Sequence, residues 1–239
     1  MAKGITYGAD EYASSKFHPF RIHVEAYTIF TLLGDVRGQR VLDAGCGDGI
    51  YSRELINRGA SHVIGVDDSY DAIRLARKKN TGFEGRIDYH KKRIENFFGN
   101  GDFDTVVGSY VLSYPKTPEE AIDYCLAIAS HLRKGERFIG FNNNPFEVFD
   151  GIRHRKYKFE KEMHGAVEGS QVIYRVSGMN NPIINFYLKP KSYEEAFRQA
   201  GFSEFSWQRV LLNPEEQDNP YWKEFFRNEP PFVAMVARK

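Results

Sequence analysis

Apolar and polar residues follow one another along this chain in two rhythms, and the switches between them outline the fold. Ile22, Ala26, Ile29, Phe30 and Leu33 recur at helical spacing and stop at Gly34, which predicts a helix within an N-terminal helical cap, residues 1–34. Short apolar runs at 40–44, 62–67, 86–90, 103–110 and 136–141 read as strands. Helical patterns lie between them at about 48–58, 69–80 and 118–133, the last presenting Ile122, Cys125, Leu126, Ala129 and Leu132 on one face and ending at Gly135. The run FDTVVGSY is apolar enough for a strand buried on both faces. Strands alternating with helices require crossover connections, so the pattern predicts an α/β fold, a doubly wound and mostly parallel sheet.

That rhythm breaks over 142–190. NNNPFEVFDG reads as turn and loop, and QVIYRVSG (171–178) and PIINFYL (182–188) as a strand pair. A helix at 191–200 follows. Strands at 204–212 and 231–238, separated by a helical YWKEFFRN, then bring the sheet to seven. An insertion this long, placed between the fifth strand and the following helix, exceeds an ordinary loop. It is either a lid over a substrate or a hairpin that extends the core. Its aromatic residues Phe146, Phe149, Tyr157, Phe159, Tyr174, Phe186 and Tyr187 suit a small, partly flat acceptor.

Composition narrows the function. A chain of 239 residues suits one domain, 1–239. A net charge of +1 gives no electrostatic reason to bind nucleic acid or a membrane surface, and the basic run KKR at 91–93 is too short to alter this. No segment is long and apolar enough to span a bilayer. MAKGITYGADEY lacks the apolar centre of a secretion signal, and Cys46 and Cys125 form neither a metal spacing nor a disulfide framework. The expectation is a cytoplasmic protein with reduced thiols and no metal.

The chemistry concentrates where the first strand ends, in VLDAGCGDG (41–49). In an open parallel sheet, ligands sit beyond the carboxyl ends of the strands, near the point where strand order reverses. Gly45, Gly47 and Gly49 are spaced G-x-G-x-G, unlike the G-x-G-x-x-G of a dinucleotide loop. Asp43, two residues earlier, would repel a pyrophosphate but suits a ligand ammonium group, directly or through water. Asp67 ends the second strand, 22 residues after Gly45, where a carboxylate can accept from both hydroxyls of a ribose. Asp68 is placed to cap the next helix, or to take the ribose if the register is one residue off.

VLDAGCGDG, VIGVDDS and FDTVVGSYVLSY together resemble the class I S-adenosylmethionine-dependent methyltransferases, over about residues 20–141, and SYEEAFRQAGF resembles the helix after the lid in their small-molecule branch. The span from TIFTLLGDV to AGFSEFSWQ is similar to toxoflavin-type N-methyltransferases of secondary metabolism. The resemblance implies a Rossmann-like fold, S-adenosyl-L-methionine as cofactor, and methyl transfer to N or O of a small molecule. Carried over residue by residue, Asp43, Gly45, Cys46 and Gly47 pass the methionine part, Asp67 takes the ribose and Ser109 or its neighbour flanks the methionine end. Where the family has an acid for the adenine amino group this chain has Arg93, followed by Ile94. Arginine cannot accept a hydrogen bond, so it either stacks on the ring or turns to solvent, with Glu95 able to fold back. The family's N-terminal segment closes over the cofactor, which brings in Tyr7, Tyr12, His18 and His23. Tyr110, Ser113 and Tyr114 follow the fourth strand, and Tyr114, Tyr12 and His18 are the candidates for a catalytic role.

GSYVLSYP after that strand lacks the Asn/Asp-Pro-Pro-aromatic motif of nucleic-acid amino methylation. The competing readings are a nicotinamide-dependent oxidoreductase, disfavoured by Asp43 and the glycine spacing, and a non-catalytic S-adenosylmethionine-binding protein. Either a monomer or a homodimer fits the sequence.

Overall fold

A computed structural model describes residues 8–227 and 229–239. Helix α1 (Ala9–Ser15) comes first, then a π-helical segment, Arg21–Ala26, that runs directly into α2 (Tyr27–Leu33). The π segment changes the face that the sequence pattern predicts. At 3.6 residues per turn Ile22 would share the inward face with Ala26, Ile29 and Leu33. The wider π turn rotates the residues before α2, so Arg21, Val24 and Glu25 point inward while Ile22 is 44% exposed. Two charged side chains are thereby driven into the interior.

The alternating region follows as β1 (Arg40–Ala44), α3 (Ile50–Asn57), β2 (His62–Asp67), α4 (Tyr70–Lys78), β3 (Ile87–Lys91), β4 (Phe103–Ser109), α5 (Pro118–His131) and β5 (Leu132–Asn143). Helix α5 starts on the Thr117 hydroxyl, which accepts from Glu120 N, with Pro118 in its first turn. Gly135, expected to end that helix, instead lies inside β5 at φ +85°. The chain then forms β6 (Asp150–Arg153), β7 (Phe159–His164), β8 (Gln171–Val176), β9 (Ile183–Phe186), α6 (Pro190–Gln199), β10 (Glu204–Gln208) and β11 (Phe232–Arg238).

The main sheet has seven strands in the order β10-β11-β5-β4-β1-β2-β3. Pairs from β5 through β3 are parallel, whereas β11 runs antiparallel to both β5 and β10. Strand order reverses at β1, between β2 and β4, and the crevice beyond the carboxyl ends of β1 and β4 is the switch point at which such folds bind ligands. Strand β1 shows why the sheet is covered on both sides. Val41 packs into the core beneath α2 and α3, while Leu42 and Ala44 pack into the core beneath α5 and α6.

The insertion forms its own four-stranded antiparallel sheet, β6-β7-β8-β9. The strand pair expected from the sequence corresponds to β8 and β9, whereas β6 and β7 are additional. Strand β7 hides its pattern because Lys161 faces inward between Phe159 and Met163. Its ammonium donates to Glu147 at 2.8 Å, and Glu147 also holds His154 at 2.6 Å. The expected helix YWKEFFRN is a short 3-10 turn, Pro220–Trp222, followed by further turns. Trp222 and Phe225 are buried against Tyr157, a spacing that a helix and a compact turn serve equally.

Candidate functional site

The glycine loop folds back over β2, with Gly45 N and Cys46 N both donating to Val66 O, at 2.8 and 3.0 Å. Gly45, Gly47 and Gly49 have φ of +73°, +57° and +74°, a region that side chains disfavour. Their surroundings divide their roles. A Cβ on Gly49 would overlap the Tyr89 hydroxyl, so Gly49 is required by packing. A Cβ on Gly47 would meet only the Tyr12 ring, at 3.9 Å, so backbone there borders open space. Such a cradle fits a ligand that approaches the main chain closely.

Asp43 is fully buried, and Ser52 Oγ donates to it at 2.6 Å. Burial pushes its carboxyl up to about 6, against the opposing pull of the Ser52 hydrogen bond and Lys16. Burial likewise raises Asp67, although Ser69 N and Gly47 N donate to its two oxygens at 2.8 and 2.9 Å. Asp67 therefore ties the glycine loop to the start of α4 in the free protein. Cys46 is buried, and desolvation with Asp43 nearby raises its thiol well above the ordinary value, making it unreactive.

One expectation changes here. Asp68 does not cap α4; Ser69 does, its Oγ accepting from Ala72 N at 3.2 Å. Asp68 instead faces Lys91 at 3.6 Å and Arg93 at 3.9 Å. Arg93 is exposed but not loose. Glu95 folds back onto its Nε, and its other end reaches Tyr124 at 3.5 Å. Ile94 is buried beside it.

A cluster centred on Glu25 escapes the sequence reading. Its carboxylate has no exposed surface and accepts from Arg21 (2.7 Å), Lys16 (3.1 Å), Tyr51 (2.6 Å), Tyr110 (2.8 Å) and Ser109 (3.1 Å). Burial alone would raise Glu25, but Arg21, Lys16 and the two phenols outweigh it and hold it at about 2. The cluster joins the N-terminal segment to the end of β4. Tyr110 there adopts φ +63°, a strained left-handed conformation, with its N–H on Phe141 O at 2.6 Å. The sequence clue was Arg21 and Glu25 four residues apart, a pair more often seen on a solvated helix face.

Tyr12, Arg21, Tyr110 and Tyr114 also border a cavity of about 360 Å³, its open mouth included, little of it wide enough for a water molecule. Its other walls are Phe20 and Phe232, Phe159, Tyr174, Val176, Ile183 and Asn185 from the insertion, and Asn143. The rings interlock, with Phe20 4.8 Å from Phe159 and 5.6 Å from Phe232. The cavity thus brings together Tyr12 and Tyr114 but not His18, which stands beside Phe20 with ring centroids 6.5 Å apart. Burial, Arg21 and Lys158 lower the His18 imidazole. His23 lies apart, 3.9 Å from Glu216, and Tyr7 falls outside the described residues. Ser113 is buried and donates to Asn142 Oδ1. Phe146 is largely exposed, and Phe149 packs by His154, so only part of the insertion's aromatic set faces the cavity. Among the described residues no group of His, Cys, Asp and Glu could hold a metal ion, and no helix is long and apolar enough to cross a membrane.

Residues 41–135 match the family model described as a methyltransferase domain. Ubiquinone biosynthesis O-methyltransferase of Bordetella parapertussis is 26% identical over 186 residues, covering 76% of this chain and 69% of that one. The protein of the same name from Aromatoleum aromaticum is 28% identical over 179 residues, 74% and 69% of the two chains. The fold is shared with an S-adenosylmethionine-dependent methyltransferase of Mesorhizobium loti (TM-score 0.66, 18% identity, 87% of this chain and 94% of that one). It is shared too with an amino pentose methyltransferase of Micromonospora echinaspora involved in calicheamicin biosynthesis, solved with S-adenosylmethionine bound (TM-score 0.66, 17% identity, 100% of both chains). Sheet order and glycine loop match the Rossmann-like fold of these methyltransferases. The matched domain and these relatives support reading the chain as a methyltransferase enzyme, and its fold is that of S-adenosylmethionine-dependent methyltransferases, which supports S-adenosylmethionine as the cofactor.

Proposed function

We propose that this enzyme methylates N or O of a small, partly flat molecule bound in the aromatic cavity beneath the insertion. The observation that carries this reading is the cavity itself, walled by Phe20, Phe159, Tyr174 and Phe232 and bordered by Tyr12 beside Gly47. The cofactor supplies a methyl group already activated on a sulfonium. The chain's share is then to hold the acceptor in line and exclude water. Burial and Glu25 push the Tyr110 phenol well up, and burial and Glu147 do the same for Tyr174, so both stay protonated and act as donors rather than bases. The cavity is too narrow for an acceptor as it stands, so the insertion serves as a lid that moves aside to admit one. Arg21 Nε is buried without a hydrogen-bond partner and would take the cofactor's carboxylate, with Lys16 and Glu25 fixing its position. A radiolabelled methyl-donor assay over small phenols, amines and heterocycles tests the proposal. Transfer to RNA, DNA or protein in place of these compounds would overturn it.

In the same reading Asp43 faces the cofactor's ammonium group and Asp67 its ribose. The free enzyme holds a proton on Asp43 up to about pH 6, above the usual 3.8, so its own stability falls as pH rises through that window. A nearby ammonium favours the carboxylate, and binding then releases that proton. S-adenosylhomocysteine affinity is expected to be level above this window and to weaken below about pH 6, approaching tenfold per pH unit. Asp43→Asn should bind less tightly and lose the pH dependence. Calorimetry between pH 5 and 8 checks this, and a wild-type affinity level down to about pH 5 would place the ammonium elsewhere.

Asp67→Ala is expected to cost roughly 2–4 kcal/mol of S-adenosylhomocysteine affinity, from two charge-assisted hydrogen bonds partly replaced by water. The bare sequence suggests that folding would barely change. The structure adds a loss of about 1 kcal/mol for each of the Gly47 and Ser69 amides left without their acceptor. Asp67→Asn keeps one acceptor oxygen and should lose less. Asp68→Ala breaks only longer, partly exposed pairs and should cost under about 1 kcal/mol of stability and little affinity. Should Asp68→Ala prove the more damaging to binding, the ribose assignment moves to Asp68.

A further inference from the structure

Asn143 ends β5, Asn185 lies in β9, and their side chains meet across the cavity wall, Asn143 Nδ2 donating to Asn185 Oδ1 at 3.1 Å. Asn143 Oδ1 and Asn185 Nδ2 have no hydrogen-bond partner, although the residues are only 8% and 2% exposed. Turning both amides over exchanges the atoms but leaves the same remainder, one carbonyl oxygen and one amino group. The Tyr174 hydroxyl, in the same wall, is also buried without a partner. Buried polar groups normally find partners, and orphans gathered around one cavity mark where a ligand completes the set.

We propose that Asn143 and Asn185 are the specificity-determining pair for the methyl acceptor, and that they select a neutral flat heterocycle whose edge carries an N–H donor beside a C=O acceptor, as in an aromatic lactam. This rests on the reading of the cavity as the acceptor site. The ligand's N–H donates to the spare amide oxygen and its carbonyl accepts from the spare amide N–H. The rings of Phe20, Phe159 and Phe232 cover its faces. A carboxylate lacks the donor, and an aliphatic ammonium lacks the acceptor. Among the described residues of the wall Arg21 alone carries a formal charge, and it and Lys16 are together balanced by Glu25 and the cofactor carboxylate proposed above, so the site favours a neutral ligand.

The test uses the full chain saturated with S-adenosylhomocysteine and two probes of matched shape, the bicyclic lactam isoquinolone and its parent isoquinoline. Calorimetry on the wild type is expected to show isoquinolone bound about tenfold or more tighter, the effect of two modest hydrogen bonds. Asn143→Leu and Asn185→Leu should each erase most of that preference while S-adenosylhomocysteine affinity stays as in the wild type. Equal affinity of the wild type for the two probes overturns the proposal, as does a preference that survives in both variants. If a variant fails to fold, the wild-type comparison still decides. Binding of neither probe while S-adenosylhomocysteine binds normally overturns the flat-acceptor reading itself, a result distinct from equal binding of both.

Discussion

Glu25→Ala is expected to destabilise the free enzyme by about 3–5 kcal/mol, a large share of what a domain has to lose. The substitution strands its partners. Arg21 and Lys16 both lie within 3.1 Å of this carboxylate and both are nearly inaccessible to water. Without it they leave two like charges in the interior, and the Tyr51 and Tyr110 hydroxyls lose their acceptor. Glu25→Gln keeps the shape and one acceptor oxygen but not the charge, and should fall between. Glu25 sits at about 2, below its usual 4.5, so its stabilisation is fully present above about pH 4.5 and is lost as pH falls toward 2. The excess stability of wild type over Glu25→Gln should therefore shrink on acidification below about pH 4.5. Urea unfolding at neutral and acid pH measures both effects. A loss under about 1 kcal/mol for Glu25→Ala would mean that Arg21 and Lys16 regain water easily and that the cluster does not anchor the N-terminal segment. Tyr110 gives a local readout, because its strained φ of +63° survives only where surrounding contacts over-determine it.

The main sheet was legible in the sequence because its central strands, such as RVLDA in β1 and FDTVVGS in β4, are largely apolar runs bounded by turn residues, with helical patterns between them. Val41 and Leu42 serve opposite faces of the sheet, so β1 reads as continuous rather than alternating. The glycine loop was legible for a different reason, since three glycines in nine residues are hard to explain by packing alone. What escaped depends on partners distant in the chain. Lys161 makes β7 look like a solvated segment until Glu147, fourteen residues earlier, neutralises it. Glu25 meets Tyr110 across 85 residues, and Asn143 meets Asn185 across 42. The π turn at Arg21–Ala26 defeats the helical period itself, so the predicted face fails at Ile22 but holds from Ile29 onward. The acidic pair after β2 shows a subtler limit. Two adjacent carboxylates and a serine offer several ways to begin a helix, and only the fold assigns the cap to Ser69 and the loop amide to Asp67.

Gly47→Val is expected to remove measurable S-adenosylhomocysteine binding while leaving the sheet folded. Two effects separate at this position. With φ at +57°, any side chain strains the loop, by a cost on the order of 1–3 kcal/mol that is worst for a β-branched residue. Space inside the protein is not the obstacle, because the nearest atom to a Cβ there, neighbours in the chain apart, is in the Tyr12 ring at 3.9 Å. The added methyl groups therefore project into the gap between loop and Tyr12, where the methionine part of the cofactor is proposed to lie. Gly47→Ala carries strain with little bulk and should weaken binding less. Gly49→Ala is the opposite control. Its Cβ would overlap the Tyr89 hydroxyl, packed beneath the loop, so stability falls first and binding follows it. Thermal melting and calorimetry on the three variants distinguish these cases. The expected pattern is a near-native melt without binding for Gly47→Val and a depressed melt for Gly49→Ala. Wild-type affinity in Gly47→Val would take the glycine loop out of the cofactor site and move the search for it to the other side of the Tyr12 ring.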